Sequence, residues 1–246
     1  MSRYDFSTQR LFVEADLGPG ARIACTPTQA NYLRNVLRLR AKHEILVFNG
    51  RDGEWRARVG DGPKRGSTLE LGEQTRPQEG GPDVDYLFAP LKRARLDYMV
   101  EKATEMGVAS LRPVLTRRTT PERVNLERMR ANAIEAAEQC GILRIPDVRQ
   151  PERLERLVQE WDESRALVFC DEDSDTADPL AALASLKSRP IALLIGPEGG
   201  FDPSERELLL SRRFVVRISL GPRILRADTA AVAALALVNA AAGDWR

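Results

Sequence analysis

Two glycine-punctuated segments hold the residues best placed to bind and act on a small molecule. One is Gly196-Pro197-Glu198-Gly199-Gly200, behind the apolar Leu193-Leu194-Ile195. The other runs from Leu220-Gly221-Pro222-Arg223 through Ile224-Leu225-Arg226 to Asp228-Thr229-Ala230. Each follows a run that reads as a buried strand and leads into a helical pattern. Loops after buried strands are where open α/β sheets bind ligands. Glycine lets a backbone approach a flat ring closely and leaves N–H and C=O groups free to read its edges. Leu194, Ile195, Leu220, Ile224 and Leu225 are candidates for the apolar walls. The phosphate-loop pattern GxxxxGK followed by Ser or Thr is absent, and so is GxGxxG after a strand. Glu198 would repel a polyphosphate. A nucleoside or cationic ligand suits the pair of loops better, although each loop alone is equally readable as a tight strand-to-helix turn.

Other chemistries are poorly supplied. Cys25, Cys140 and Cys170 are far apart and form no CxxC pair, and His43 is the single histidine. A Cys/His zinc site, a disulfide framework and a histidine-based triad are all improbable on that count. His43 lies in Arg40-Ala41-Lys42-His43-Glu44 and reads as a solvated turn residue. The formal net charge is +1, with 43% hydrophobic and 30% charged residues. The first two thirds of the chain lean slightly basic, so nucleic-acid binding requires a local patch. No apolar run approaches the roughly 18 residues of a membrane span. The N-terminal residues lack a signal-peptide apolar region, and a cytoplasmic location is expected.

The elements that must position the loops alternate. Residues 1–75 read as mostly β, with strands at Arg10–Val13, Glu44–Phe48, Glu54–Val59 and Thr68–Leu71. Asn49-Gly50-Arg51-Asp52-Gly53 is a hairpin turn. One helix is expected from Pro27 to Leu39, capped by Thr26, with Tyr32, Leu33, Val36 and Leu37 inward. Several short strands and one helix suggest a small barrel. Residues 76–82 read as a Pro/Gly linker. Beyond it, strands are expected at Val84–Ala89, Val108–Leu115, Ala166–Cys170, Ile191–Ile195 and Phe214–Leu220. Helices are expected at Lys92–Met106, Leu126–Cys140, Pro151–Trp161 and Thr229–Ala242, and Asp202 with Glu205 forms a capping box. This is an α/β pattern with a mostly parallel sheet. The last helix is apolar nearly all round, so it is either threaded into a core or packed in a subunit interface.

Taken together, these residues resemble the SPOUT class of RNA methyltransferases, and within it the RsmE type, which acts on uridine N3 of small-subunit (16S) ribosomal RNA. The resemblance is carried by Tyr32-Leu33-Arg34-Asn35-Val36-Leu37-Arg38-Leu39, Lys102-Ala103-Thr104-Glu105-Met106-Gly107-Val108 and Glu135-Ala136-Ala137-Glu138-Gln139-Cys140-Gly141, together with the two glycine segments. The chain departs from the family in having Gln29 where His is frequent, Asp228 where Glu is frequent, and Arg144 later than the usual Gly-Arg spacing. The resemblance implies a PUA-like RNA-binding barrel over 1–75 and a trefoil-knotted methyltransferase domain over 83–246, with the knot near 191–242. It implies a homodimer, S-adenosylmethionine as cofactor, no metal, and the small subunit or its rRNA as partner. The cofactor would lie against Leu194, Ile195, Gly196, Glu198, Gly199, Gly200, Leu220, Gly221, Ile224, Leu225, Arg226, Thr229 and Ala230.

Methylation at N3 needs a nucleophile, because that nitrogen carries a proton at neutral pH. A nearby cation would stabilise the uracilate, and a carboxylate or water would take the proton. Arg226 is the candidate cation; an ion pair with Asp228 or Glu198 is the equal alternative. Glu198 is the candidate base, with a loop-bracing role as its alternative. Arg10, Arg34, Arg38, Arg40, Arg117, Arg118 and Arg123 are candidate phosphate contacts, or simply solvated faces. Methylation of another rRNA or tRNA base and a non-catalytic RNA-binding module are the competing functions.

Overall fold

The structure, a computed structural model, describes residues 5, 7–61, 66–119, 124–174, 178–187 and 189–245. The chain divides into two compact units, Met1–Gly80 with Ala137–Arg144, and Gly81–Ala136 with Ile145–Arg246.

In the first unit β1 (Arg10–Phe12), β2 (Arg22–Ala24), β3 (Glu44–Phe48), β4 (Glu54–Asp61) and β5 (Ser67–Arg76) form one sheet in the order β1-β3-β4-β5-β2. The β3–β4 hairpin closes as its residues dictate: Asn49 Oδ1 accepts from the N–H groups of Arg51 and Asp52 at 2.9 and 2.8 Å. Leu33, Ile45, Val47 and Leu69 fill the core at 1% exposure or less. Helix α1 (Pro27–Asn31) is capped by a reciprocal box between Thr26 and Gln29. Gln29 also donates through Nε2 to the Phe12 carbonyl at 3.0 Å.

The expected helix to Leu39 is not continuous. A π-helical turn occupies Tyr32–Val36, with the Leu37 N–H bonded to the Tyr32 carbonyl at 2.9 Å. The wider turn rotates Val36 off the apolar face, so it is exposed rather than inward. Arg38 then ends the segment in left-handed conformation, φ 54°. Strand β2 has no counterpart among the expected strands, because three residues give little periodicity.

Arg10, Glu54 and Arg76 make a buried charge cluster. Glu54 accepts from Arg10 Nε at 2.9 Å and Arg76 Nη2 at 2.7 Å. Burial works against the ionised Glu54 carboxyl, but bonds from Arg76, Thr75 and Arg10 outweigh it and hold its pKa below the ordinary value. The segment Ala137–Arg144 joins the same unit: the Phe12 N–H reaches Glu138 Oε1 at 2.8 Å, Arg76 Nη2 reaches the Gly141 carbonyl at 2.8 Å, and Arg144 Nη1 reaches the Gly80 carbonyl at 2.7 Å.

The second unit is βα-alternating: β6 (Val84–Phe88), α2 (Arg93–Glu105), β7 (Ser110–Leu115), α3 (Leu126–Cys140, whose last turn belongs to the first unit), β8 (Asp147–Val148), β9 (Glu152–Arg153), α4 (Leu154–Gln159), β10 (Ala166–Cys170), α5 (Pro179–Ala184), β11 (Ile191–Ile195), α6 (Pro203–Leu210), β12 (Val215–Ile218) and α7 (Ala227–Ala241). The sheet order is β12-β10-β11-β6-β7-β8, with β9 also on β7. Every pairing in it is parallel.

The continuous apolar strands are buried on both faces, as a parallel sheet requires. Tyr86, Phe88, Val168 and Leu193 pack in one core with residues of α2, α5 and α7. Leu87, Leu167 and Leu194 pack in another with α4 and α6. The expected helix over 151–161 is shorter, because Glu152 and Arg153 pair with Val114 and Leu115 first. Helix α5, unforeseen, is announced by Asp178-Pro179, where Asp178 Oδ1 accepts from the Ala181 N–H at 3.0 Å. Of the all-round apolar α7, Ala231, Ala234, Leu235 and Val238 are buried, while Val232, Ala233, Ala236 and Leu237 are half-covered.

Candidate functional site

Because the strands are parallel, the ends of β6, β10, β11 and β12 emerge on one edge of the sheet. Strand β10 lies between β11 and β12, so the two glycine loops start about 10 Å apart, two strand spacings. The loop after β10 starts between them.

The first loop is held tightly. A Cβ on Gly196 would lie 2.4 Å from Phe201 Cε2, and Phe201 packs edge-to-face on Phe169 at 5.1 Å between centroids. The Gly200 N–H closes the turn onto the Pro197 carbonyl at 2.9 Å, with Gly200 at φ 69°. Two arginines grip the tip: Arg95 of α2 pairs with Glu198, and Arg118 Nη1 donates to the Gly199 carbonyl at 2.9 Å. Beyond the loop the capping box forms, and Glu205, 1% exposed, also accepts from the Arg117 N–H at 2.8 Å. Hydrogen bonds from Ser204 hold the Asp202 carboxyl below its usual range.

The intervening loop was missed by sequence reasoning. Asp171, 4% exposed, accepts from Arg206 of α6 and Arg217 of β12, each at 3.0 Å. Its neighbour Glu172 is exposed, with Oε1 3.0 Å from where a Cβ on Gly200 would stand. The signal was the acidic run Asp171-Glu172-Asp173 directly after a buried strand.

In the second loop the Gly221 N–H meets Ser219 Oγ at 3.3 Å, and Gly221 takes φ 96°. Leu220 and Leu225 are half-buried; Ile224 is 95% exposed. Arg226 is the N-cap of α7 by its extended backbone (φ −67°, ψ 152°), and its side chain is exposed. Among the described residues it makes no ion pair. Asp228 accepts from the Thr229 N–H at 2.8 Å, and Glu198 pairs with Arg95. Thr229 is exposed and Ala230 half-buried at the start of α7.

Leu194 and Ile195 are 0% and 4% exposed, their side chains taken up by the two cores. They offer a ligand backbone rather than the expected apolar wall, which reduces to Leu220, Ile224 and Leu225. Burial pushes the Cys170 thiol well above its ordinary value, away from the thiolate form. Among the described residues no group of His, Cys, Asp and Glu is arranged to hold a metal.

The candidate RNA arginines fare unequally. Arg10 is corrected: it is 5% exposed, its guanidinium is spent on Glu54, and it has no surface to offer a phosphate. Arg34 is engaged with Ser67 Oγ at 3.0 Å, Asp61 at 3.2 Å and the Gly66 carbonyl. Arg38, Arg40, Arg117 and Arg118 are exposed. Arg123 lies outside the described residues.

Two family models match the chain. An RNA methyltransferase domain covers residues 79–239, and an RNA methyltransferase PUA domain covers residues 26–71. Ribosomal RNA small subunit methyltransferase E of Rickettsia conorii is 30% identical over 94% of this chain and 94% of its own. The protein of that name from Synechocystis is 33% identical over 94% of this chain and 77% of its own. A protein of Legionella pneumophila, solved with S-adenosylmethionine bound as cofactor, superposes with a TM-score of 0.85 at 29% identity, covering 96% of this chain and 99% of its own. Ribosomal RNA small subunit methyltransferase E of Neisseria gonorrhoeae, also solved with S-adenosylmethionine, gives 0.83 at 25% identity, covering 97% and 100%. A parallel sheet carrying two glycine loops on one edge, joined in one chain to a PUA domain, thus has its relatives, and this protein belongs to the small-subunit ribosomal RNA methyltransferase E family of RNA methyltransferases.

Proposed function

We propose that this chain methylates N3 of a specific uridine in small-subunit ribosomal RNA, with S-adenosylmethionine as methyl donor and the assembled small subunit as substrate. The observation that carries the reading is the meeting of three loops on one edge of an all-parallel sheet, two of them glycine loops. Relatives named for small-subunit rRNA methylation, and structures of similar chains with the cofactor bound, support it.

The residues fit that cofactor. Side chains are excluded at Gly196 by the Phe201 ring, which leaves bare backbone where a flat adenosine would lie. Glu172 sets an exposed carboxylate beside Gly200, which favours a ligand carrying positive charge. Ile195, Gly196, Gly199 and Gly200 would hold one side through backbone, and Leu220, Gly221, Ile224, Leu225, Thr229 and Ala230 the other. When bound, S-adenosylmethionine supplies a methyl group already electrophilic on a cationic sulfur.

The chain supplies the rest. Arg226, exposed at the mouth of the second loop and unclaimed by Asp228 or Glu198, stabilises the negative charge that develops on the uracil as N3 loses its proton. The pairing of Glu198 with Arg95 favours a bracing role for that carboxylate, with water taking the proton. N3 lies on the pairing edge of uracil, so the target nucleotide is unpaired or splayed out when it reacts. The half-covered stripe of α7, with Ile224 and Trp245 exposed nearby in sequence, favours a homodimer built on this face.

The test is methyl transfer from labelled S-adenosylmethionine to small subunits and to naked rRNA from a strain lacking this gene, followed by nucleoside mass spectrometry. The expected product is 3-methyluridine, formed faster on subunits. Another methylated nucleoside overturns the N3 assignment, and no label in either substrate overturns the reading as a whole.

A further inference from the structure

We propose that an arginine-lined cleft beside β7, β9 and α4 is a second RNA-backbone site, which holds the phosphodiester chain flanking the target nucleotide. The inference rests on the reading above that the substrate is RNA. The cleft has a volume of about 810 Å³, and its lining includes Arg112, Arg149, Arg153 and Arg156 against two carboxylates, Asp85 and Glu152. Small-molecule pockets are mostly apolar with a few polar groups; a cleft with this much guanidinium suits a polyanion.

Of these arginines, Arg112 is half-buried at the floor, and Arg149, Arg153 and Arg156 stand exposed at the rim. Arg112 is held by Asp85 at 3.4 Å and Glu152 at 3.9 Å, and its guanidinium lies over Trp161 at 5.7 Å. Arg156 bridges Glu152 at 3.7 Å and Glu160 at 3.1 Å. Arg149 pairs with Asp147 at 2.9 Å, but their side chains are 62% and 69% exposed, and such a pair is weak and easily exchanged. Arg153 is exposed and makes no ion pair among the described residues. Arg153 thus has its full charge to offer, and Arg149 can trade an exposed partner for a phosphate, so two guanidiniums are available to an RNA backbone.

The cleft also leads to the glycine loops. Leu115, at the end of β7, lines it. Two residues on, Arg117 pairs with Glu155 of α4 at 3.4 Å, and Arg118 donates to the Gly199 carbonyl. A strand whose target base enters at the first glycine loop would thus continue over Arg118 and Arg117 into the cleft. Contacts of this kind position RNA without reading its sequence.

The experiment compares wild type with Arg149→Ala/Arg153→Ala and Arg149→Lys/Arg153→Lys. Binding to small-subunit rRNA is titrated across salt, and steady-state methylation is measured. The alanine variant should lower the slope of log affinity against log salt by about 1.4–1.8, at roughly 0.7–0.9 per phosphate contact. KM for RNA should rise about tenfold with kcat and cofactor affinity unchanged, and the lysine variant should restore the slope, since phosphate binding by point charge survives the exchange. An unchanged slope and KM in a folded alanine variant overturns the proposal. So does a lysine variant as impaired as alanine, because shape rather than charge would then matter. If the double alanine variant does not fold, Arg153→Ala alone must lower the slope by about one contact. A wild-type protein that neither binds nor methylates this RNA refutes the function instead of the cleft.

Discussion

Gly196→Ala is a demanding test of the first loop as a cofactor cradle. The added methyl carbon would stand 2.4 Å from Phe201 Cε2 and 3.0 Å from both Cδ2 and Cζ. Carbon atoms rest at about 3.5–4.0 Å, so the gap must open by more than about 1 Å at its tightest point. The ring cannot simply yield, because its edge-to-face partner Phe169 is 1% exposed in a packed core. Forcing an extra methyl into such a site costs about 1–3 kcal/mol. For a domain of this size that corresponds to a Tm lowered by about 2–4 °C per kcal/mol. Whatever part of the strain the loop absorbs moves backbone away from the adenosine, and about 1.4 kcal/mol of it weakens cofactor binding tenfold. Calorimetric titration with S-adenosylmethionine and a melting curve should show both losses. Phe201→Leu removes the obstructing ring edge, so Gly196→Ala/Phe201→Leu should recover part of the affinity, with a coupling energy of about 1 kcal/mol or more. Wild-type affinity and Tm in the single variant would refute the argument, since the methyl would then have found room that the packing denies it.

Gly221→Ala provides a contrast in the second loop: nothing lies within 4 Å of the new Cβ, and only the positive φ of 96° is strained. Its cost should be about 1 kcal/mol in a melting curve. Arg226→Ala should lower the rate of single-turnover methylation at saturating cofactor about 10²–10³-fold, as for removal of one charge-stabilising donor. Glu54→Gln leaves Arg10 and Arg76 without their buried carboxylate and should destabilise the first unit by about 3–5 kcal/mol in urea titration. Because the folded Glu54 pKa is depressed, its stabilisation is complete above the unfolded carboxylate value and is lost as pH falls through the folded one. The variant should accordingly show a shallower acid limb. Asn239→Leu removes the 2.8 Å bond to the Met106 carbonyl that ties α7 to the end of α2, and should cost about 1–3 kcal/mol by differential scanning fluorimetry.

The parallel sheet was legible in the sequence because double-sided burial forces continuous apolar runs such as Ala166–Cys170 and Ile191–Ile195, which match β10 and β11 residue for residue. The capping box at Asp202 was legible because capping is local chemistry. The π turn at Tyr32–Val36 was not, since one extra residue in a turn leaves composition unchanged and shifts only the phase, as exposed Val36 shows. The fate of Arg10 was hidden for a different reason: its partner Glu54 lies forty-four residues away, and no local pattern separates a buried guanidinium from a solvated one. The glycine loops announced themselves, whereas Arg95 and Arg118, which grip the first of them, come from distant elements and carry no signal of that duty.

The first unit is discontinuous in the chain, and that has a bearing on its synthesis. Its bonds from Phe12 to Glu138 and from Arg76 to Gly141 join residues made early to residues made much later. A ribosome adding about 5–20 residues per second needs roughly 3–13 seconds to cover the sixty or so residues between Gly80 and Arg144. Throughout that interval the nascent sheet has its five strands but lacks the segment that accepts from Arg76 and receives the Phe12 N–H. Completion of this unit is therefore timed by the emergence of α3, and a truncated chain ending at the linker would carry the strands without the means to finish the unit.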